Sequence, residues 1–152
     1  MWVTWVQPID ARILCWATRL ILARGSRLEG LTKFGGIKLL IGEETAKELD
    51  GFLLRLIDKV KVKGKHEAVE CYEPVSFEAT AGEQLKARVA AYHKALDAYR
   101  EQQWDDAQVQ FETLLAVEPE CKLYQVYLER IETLRTADLP ADWDGAYTHT
   151  SK

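Results

Sequence analysis

The sequence has few of the residues that build disulfide-stapled or zinc-stabilised folds. Its three cysteines, Cys15, Cys71 and Cys121, are odd in number and far apart, with no Cys-x-x-Cys pair. This spacing indicates neither a disulfide framework nor a zinc site, so we expect a reducing, cytoplasmic compartment. The histidines are also dispersed, without a carboxylate or cysteine at ligand spacing, and each is expected at the surface. They are His66, His93 and His149.

An excess of positive charge is missing as well. The chain has 20 Lys and Arg against 24 Asp and Glu, which gives a formal net charge of -4 at pH 7. Binding to nucleic acid or to an anionic membrane surface requires concentrated cations, so we expect neither as the main partner. No apolar stretch is long enough to span a bilayer, and the start lacks the ordered segments of a signal peptide. With 47% hydrophobic residues, we expect a soluble globular protein with one modest core or two small ones.

Residues 26–76 alternate short apolar segments with glycines. Residues 37–41 are apolar enough for a strand buried on both faces, and residues 43–49 suit a short helix closed by Asp50-Gly51. Val60 and Val62 alternate with lysines, which is typical of a half-buried strand, and a turn at Gly64 leads to a partner strand at 69–72. This zone is therefore predicted to be a small α/β unit that contains a hairpin.

The pattern becomes helical after residue 82, and no glycine occurs between Gly82 and Gly145. Three apolar stripes predict three amphipathic helices, and Pro119 separates the second from the third because the residue before proline disfavours helix. We predict a linker at 77–82 and a helical tail domain at 83–152 with a core of its own. The stripes are Leu85, Val89, Tyr92, Leu96 and Tyr99; Trp104, Ala107, Phe111, Leu114 and Leu115; and Leu123, Val126, Tyr127, Ile131 and Leu134.

Three motifs, at residues 26–33, 37–45 and 60–65, stand in an order and spacing that resemble the last third of a class III adenylate or guanylate cyclase domain. The helical zone and the ending at 140–145 are similar to the tail of bacterial cyclases that carry an upstream sensor domain. The resemblance implies an α+β fold, a truncated ferredoxin-like cyclase remnant at 26–76, followed by a three-helix, tetratricopeptide-like tail. It also implies a place in cyclic-nucleotide signalling.

The same resemblance implies roles for three side chains. In the family, two Mg or Mn ions sit on the phosphates of ATP or GTP, and the ribose 3′ hydroxyl attacks the α-phosphorus as pyrophosphate leaves. Arg27 matches the transition-state arginine, although Ala23 stands where the family has its asparagine. Lys63 matches the phosphate-binding lysine, and Lys65 is a second candidate for the phosphates. Lysines also protect strand edges against wrong pairing, which is the simpler interpretation of both.

The family's metal-binding aspartates belong to segments that would precede the first motif, and Asp10 has no matching context. We therefore expect no metal ligand in this chain and no cyclic nucleotide from it alone. One alternative is a half-site subunit that pairs with a second cyclase chain, because class III sites form between two chains. Ala23 argues against that alternative.

A second alternative concerns the helical zone alone, where four residues resemble one tetratricopeptide repeat and would make the zone a protein-binding module. More helix pairs would be needed to favour it. Trp143 is expected either to anchor a contact with the cyclase domain or a partner copy, or to cap the last helices. The four repeat-like residues are Trp104, Ala107, Phe111 and Pro119.

Residues 1–25 contain three tryptophans and have neither helical nor strand periodicity. When the third base of each codon is read with the first two of the next, Met1-Trp2 gives Val and Trp5-Val6 gives Gly. The shifted text can read Val-Gly-Asn-Met-Gly-Ser, which is similar to cyclase text upstream of the arginine helix. We therefore predict an unstructured or out-of-frame segment at 1–25, with the true frame entered near Ser26.

Overall fold

The computed structural model describes residues 40–61 and 68–147. The predicted out-of-frame segment 1–25 and the first cyclase-like motif, 26–33, lie outside the described residues. The elements run in the order β1 (Ile41–Gly42), α1 (Glu43–Glu48), β2 (Phe52–Lys61), β3 (Ala68–Phe77), α2 (Glu83–Arg100), α3 (Trp104–Val117) and α4 (Lys122–Arg135). The fold is therefore α+β, as expected.

The described strands form one antiparallel sheet in the order β1-β3-β2. The predicted hairpin is confirmed, but its strands are longer than the sequence indicated, since β2 begins at Phe52 and β3 continues to Phe77. Charged residues inside the extra length conceal its strand pattern. Arg55 and Glu73 face each other across the two strands and form an ion pair of 2.6 Å. A cross-strand pair of opposite charge stabilises a sheet, although its residues look like loop residues in the sequence.

The short helix α1 and its ending follow the local sequence. Glu43 and Glu44 lie in its first turn and Lys47 in its last, so all three charges complement the helix dipole. The helix ends before Gly51, which has φ of 79° and accepts at low cost a backbone conformation that strains other residues. This turn at Asp50-Gly51 was predicted.

The three predicted helices are confirmed as α2, α3 and α4. Most members of each predicted stripe are buried, as at Tyr92, Phe111 and Ile131. Others, such as Leu85 and Val126, are only half-buried. None of the helices that the structure describes combines the length and the apolar character needed to cross a bilayer.

The main hydrophobic core extends across the predicted linker. Leu56, Ile57 and Cys71 of the sheet belong to the same buried cluster as Tyr92 and Tyr127 of the helices. The helices therefore do not have the self-contained core that was expected. The reason is that Tyr92 of α2 and Tyr127 of α4 reach the sheet, where their hydroxyls bond the Ile57 carbonyl, so the sheet completes their burial. A second, smaller cluster of buried residues contains Ile41 and Ala46.

A bulge in β2 as a candidate functional site

The residues that the cyclase resemblance singles out lie outside the described residues. These are Arg27, Ala23, Lys63 and Lys65. Lys63 and Lys65 belong to the segment 62–67, which follows β2 and precedes β3 in the chain. The backbones of β2 and β3 are paired as far as Lys61 and Ala68. The structure therefore describes the two strands of the hairpin but not the segment that carries the two lysines.

The strand β2 has a bulge at Ile57. Leu56 is paired with Tyr72 and Asp58 with Cys71, so Ile57 has no partner residue in β3. Such an extra residue interrupts the ladder of hydrogen bonds and turns the strand. Buried backbone groups that lose their ladder partners must find others, and here they find side chains of the helices.

Three helical side chains bond the backbone of the bulge. The Leu56 N–H donates to Nε2 of His93 at 3.1 Å. The Ile57 carbonyl accepts from the Tyr127 hydroxyl at 2.8 Å and from the Tyr92 hydroxyl at 3.5 Å. Because the donors come from α2 and α4, both helices are attached to the same point of the sheet.

A buried ion pair continues this contact at the next residue of β2. Both nitrogens of the Arg130 fork donate to Asp58, at 3.0 and 2.8 Å, and the two residues are only 4% and 2% exposed. The Lys59 N–H also donates to Asp58, at 2.8 Å. The guanidinium lies over the ring of Tyr147, 4.4 Å from its centre. Burial lowers the pKa of Arg130, but the hydrogen bonds and the charge of Asp58 outweigh it and raise the pKa above its usual value.

His93 is half-buried, so the expectation that it lies at the surface was wrong. Burial lowers its pKa; Asp97 opposes this change, while Arg100 and Arg55 add to it. A neutral imidazole has one nitrogen free to accept a hydrogen bond, which is the role that the contact with Leu56 requires. The position was misjudged because His93 adjoins the buried stripe rather than standing in it.

The segment after α4 folds back over the same region. The Trp143 ring lies 5.4 Å from the ring of Tyr99 and 5.8 Å from that of Trp104, and its Nε1–H donates to the Ala146 carbonyl at 3.2 Å. Asp144 forms an ion pair of 3.2 Å with Lys59 of β2. Trp143 thus packs on residues of α2 and α3, while the neighbouring Asp144 bonds a strand of the predicted cyclase part, so these contacts do not choose between the two expected roles of Trp143.

This arrangement suits attachment rather than catalysis. Both oxygens of Asp58 are bonded to Arg130, so this carboxylate is not available as a base or a ligand. Within 40–61 and 68–147, no group of three or more His, Cys, Asp or Glu could hold a metal ion. Neither Asp58 nor Arg130 was predicted from the sequence. A signal existed for Arg130, which lies three residues after Tyr127 and four before Leu134 and therefore on the buried face of α4.

Comparison with known proteins gives matches of one kind. Over 120 residues, or 75% of this chain, the sequence is 32% identical to "Adenylate cyclase, terminal-differentiation specific" of Dictyostelium discoideum. Over 52 residues, or 32% of this chain, it is 56% identical to "Adenylate cyclase" of Anabaena cylindrica. The chain is related to adenylate cyclases.

These matches cover only a small part of each relative. The chain spans 6% of the length of the Dictyostelium protein and 10% of that of the Anabaena protein. Residues 1–76 are half of the chain, so a match over 75% of it also includes part of the helical zone. No protein-family model and no solved structure matches the chain.

Proposed function

We propose that this chain is the C-terminal part of a class III adenylate cyclase region, which contributes phosphate contacts and a helical support to cyclic AMP formation in the cytoplasm. The supporting observation is the 32% identity to an adenylate cyclase over 75% of the chain, which includes part of the helical zone. ATP is favoured over GTP because both relatives are named adenylate cyclases. The ferredoxin-like origin of the sheet and the repeat-like character of the helices belong to the same proposal.

The proposed phosphate contacts are Lys63 and Lys65, with Arg27 as the transition-state arginine. Negative charge grows on phosphate oxygens during cyclisation, and positioned cations stabilise it. In the family, two Mg or Mn ions supply further positive charge. Asp58, the buried carboxylate of β2, does not fit as a metal ligand because Arg130 holds both its oxygens. We therefore assign no reaction step to a metal held by the described residues, and a second cyclase chain is the proposed source of the ligands.

Binding of ATP at low ionic strength tests the phosphate contacts. Isothermal titration of the wild-type chain should detect binding that weakens as salt is added, because exposed cations are readily screened. The double variant Lys63→Ala/Lys65→Ala should lose it. Lys122→Ala is the control, since it removes a positive charge from the exposed first residue of α4. If the double variant bound ATP as well as the control does, the two lysines would have no phosphate role.

Activity assays compare this chain alone with a mixture of this chain and a second cyclase chain. The chain alone should form no cyclic AMP from ATP with magnesium or manganese. In mixtures with a cyclase chain that keeps its metal aspartates but lacks its own arginine and lysines, product should form only if this chain is a half-site subunit. Cyclic AMP formation by the pure chain alone would contradict the proposed division of roles.

A further inference from the structure

The bulge at Ile57 determines which way the end of β2 faces. Paired residues of antiparallel strands lie on the same face of the sheet, and successive residues alternate between faces. With the bulge, Asp58 pairs with Cys71 and Lys59 with Glu70. If Ile57 instead paired with Cys71, the pairing would slip by one, and Asp58 and Lys59 would change face.

The helices hold the bulge rather than merely covering it. Tyr127 and Tyr92 donate to the carbonyl of the bulged residue Ile57, His93 accepts from the N–H of the residue before it, and Arg130 bonds the residue after it. In a slipped register, Ile57 would return to the ladder and these helical groups would lose their partners. The helical contacts therefore favour one register over the other.

We propose that Tyr92, Tyr127 and Arg130 are positioning residues that lock the register of β2, so that the helical segment sets which face of the sheet Asp58 and Lys59 occupy. The register is a property of the described residues. Its consequence for ATP rests on the proposed function, because the two proposed phosphate lysines follow β2 in the chain.

The strand pair contributes to the same preference, since a slip would place Asp58 opposite Glu70, and like charges in that position repel. A test of the helical contribution must leave this term unchanged. Tyr92→Phe/Tyr127→Phe does so, because it removes both hydroxyls from the Ile57 carbonyl and keeps the rings. Tyr124→Phe is the matched control, since the Tyr124 hydroxyl of the same aromatic cluster donates to Glu118 and not to the sheet.

Nuclear magnetic resonance of the full chain reads the register directly. In the wild type and in Tyr124→Phe, cross-strand contacts should join Lys59 to Glu70. In the double tyrosine variant, a contact of Lys59 with Val69 should appear, and amide exchange at residues 58–61 should accelerate by about fivefold for each hydrogen bond lost. A merely structural loss of stability would accelerate exchange everywhere and would not create the new pairing. An unchanged pairing in the double variant would overturn the proposal.

Titration with ATP tests separately whether the register of β2 affects phosphate binding. A slipped register should weaken ATP binding by about fivefold or more in the double tyrosine variant, with no change in Tyr124→Phe. A slipped register with unchanged affinity would refute the link to phosphate binding. If the wild type bound no ATP while the register still slipped in the double variant, the proposed function would fail and the role of the helices would stand.

Discussion

The ion pair between Asp58 and Arg130 allows the sharpest prediction about stability. Both side chains are almost fully buried, and two hydrogen bonds join them. Arg130→Met would keep most of the side-chain volume but leave Asp58 with only the Lys59 N–H among its present hydrogen-bond donors. Breaking a buried pair in this way costs about 3–5 kcal/mol, because one charge stays desolvated without compensation. That is a large fraction of the roughly 5–15 kcal/mol by which a typical domain is stable.

Urea unfolding followed by circular dichroism measures this effect. Arg135→Met is the control on the same helix, since its ion pair with Asp105 is exposed and should contribute under about 1 kcal/mol. The double variant Asp58→Leu/Arg130→Met should recover most of the lost stability, because a buried ion pair is often replaced by apolar residues at little net cost.

Two outcomes would refute this reasoning. If Arg130→Met cost no more than Arg135→Met, the Asp58 carboxylate would have to be solvated rather than buried. If the double variant were no more stable than Arg130→Met, the loss would come from packing against Tyr127 and Tyr147 instead of from an unpaired charge.

Three further predictions use the same unfolding measurement. Phe111→Ala should cost about 3–5 kcal/mol because the ring is 0% exposed, whereas Val109→Ala, at 62% exposure, should cost little, and equal costs would contradict the packing of α3. Gly145→Ala should destabilise more than Gly51→Ala: both have φ near 80°, but only at Gly145 would a Cβ meet an arginine side chain, at 2.7 Å. The lowered pKa of His93 means that the unfolded chain binds a proton that the native one does not, so its contribution is complete above pH 6.5 and is lost as pH falls below that value. His93→Gln should reduce the difference in stability between about pH 7.5 and about pH 5.5, and an unchanged difference would show that other groups cause it.

The sequence predicted best those features that depend on residues close together in the chain. The stripes through Tyr92, Phe111 and Ile131 predicted three helices because apolar residues three and four apart share one helical face. The turn at Gly51 and the short helix before it follow from local backbone preferences. The resemblance to adenylate cyclases was also found from sequence, because it rests on the order of residues and not on their positions in space.

The sequence was least informative where two distant elements meet. Residues 52–58 contain Arg55 and Asp58, which break the alternation of polar and apolar residues that is typical of a strand. The structure explains both charges, because Arg55 pairs with Glu73 and Asp58 pairs with Arg130. Asp58 and Arg130 stand 72 positions apart in the chain, so no local signal shows that the two charges pair. Likewise, the acceptor role of His93 depends on a bulge that the sequence pattern does not predict.

The amino-acid sequence by itself thus determined the helices, the hairpin and the relationship to adenylate cyclases, since each depends on spacing along the chain. Only the tertiary structure decided that sheet and helices share one core and that the helices hold the bulge of β2. The physical reason is that a buried charge or an unpaired carbonyl is costly until a partner reaches it. Here that partner comes from a helix far along the chain.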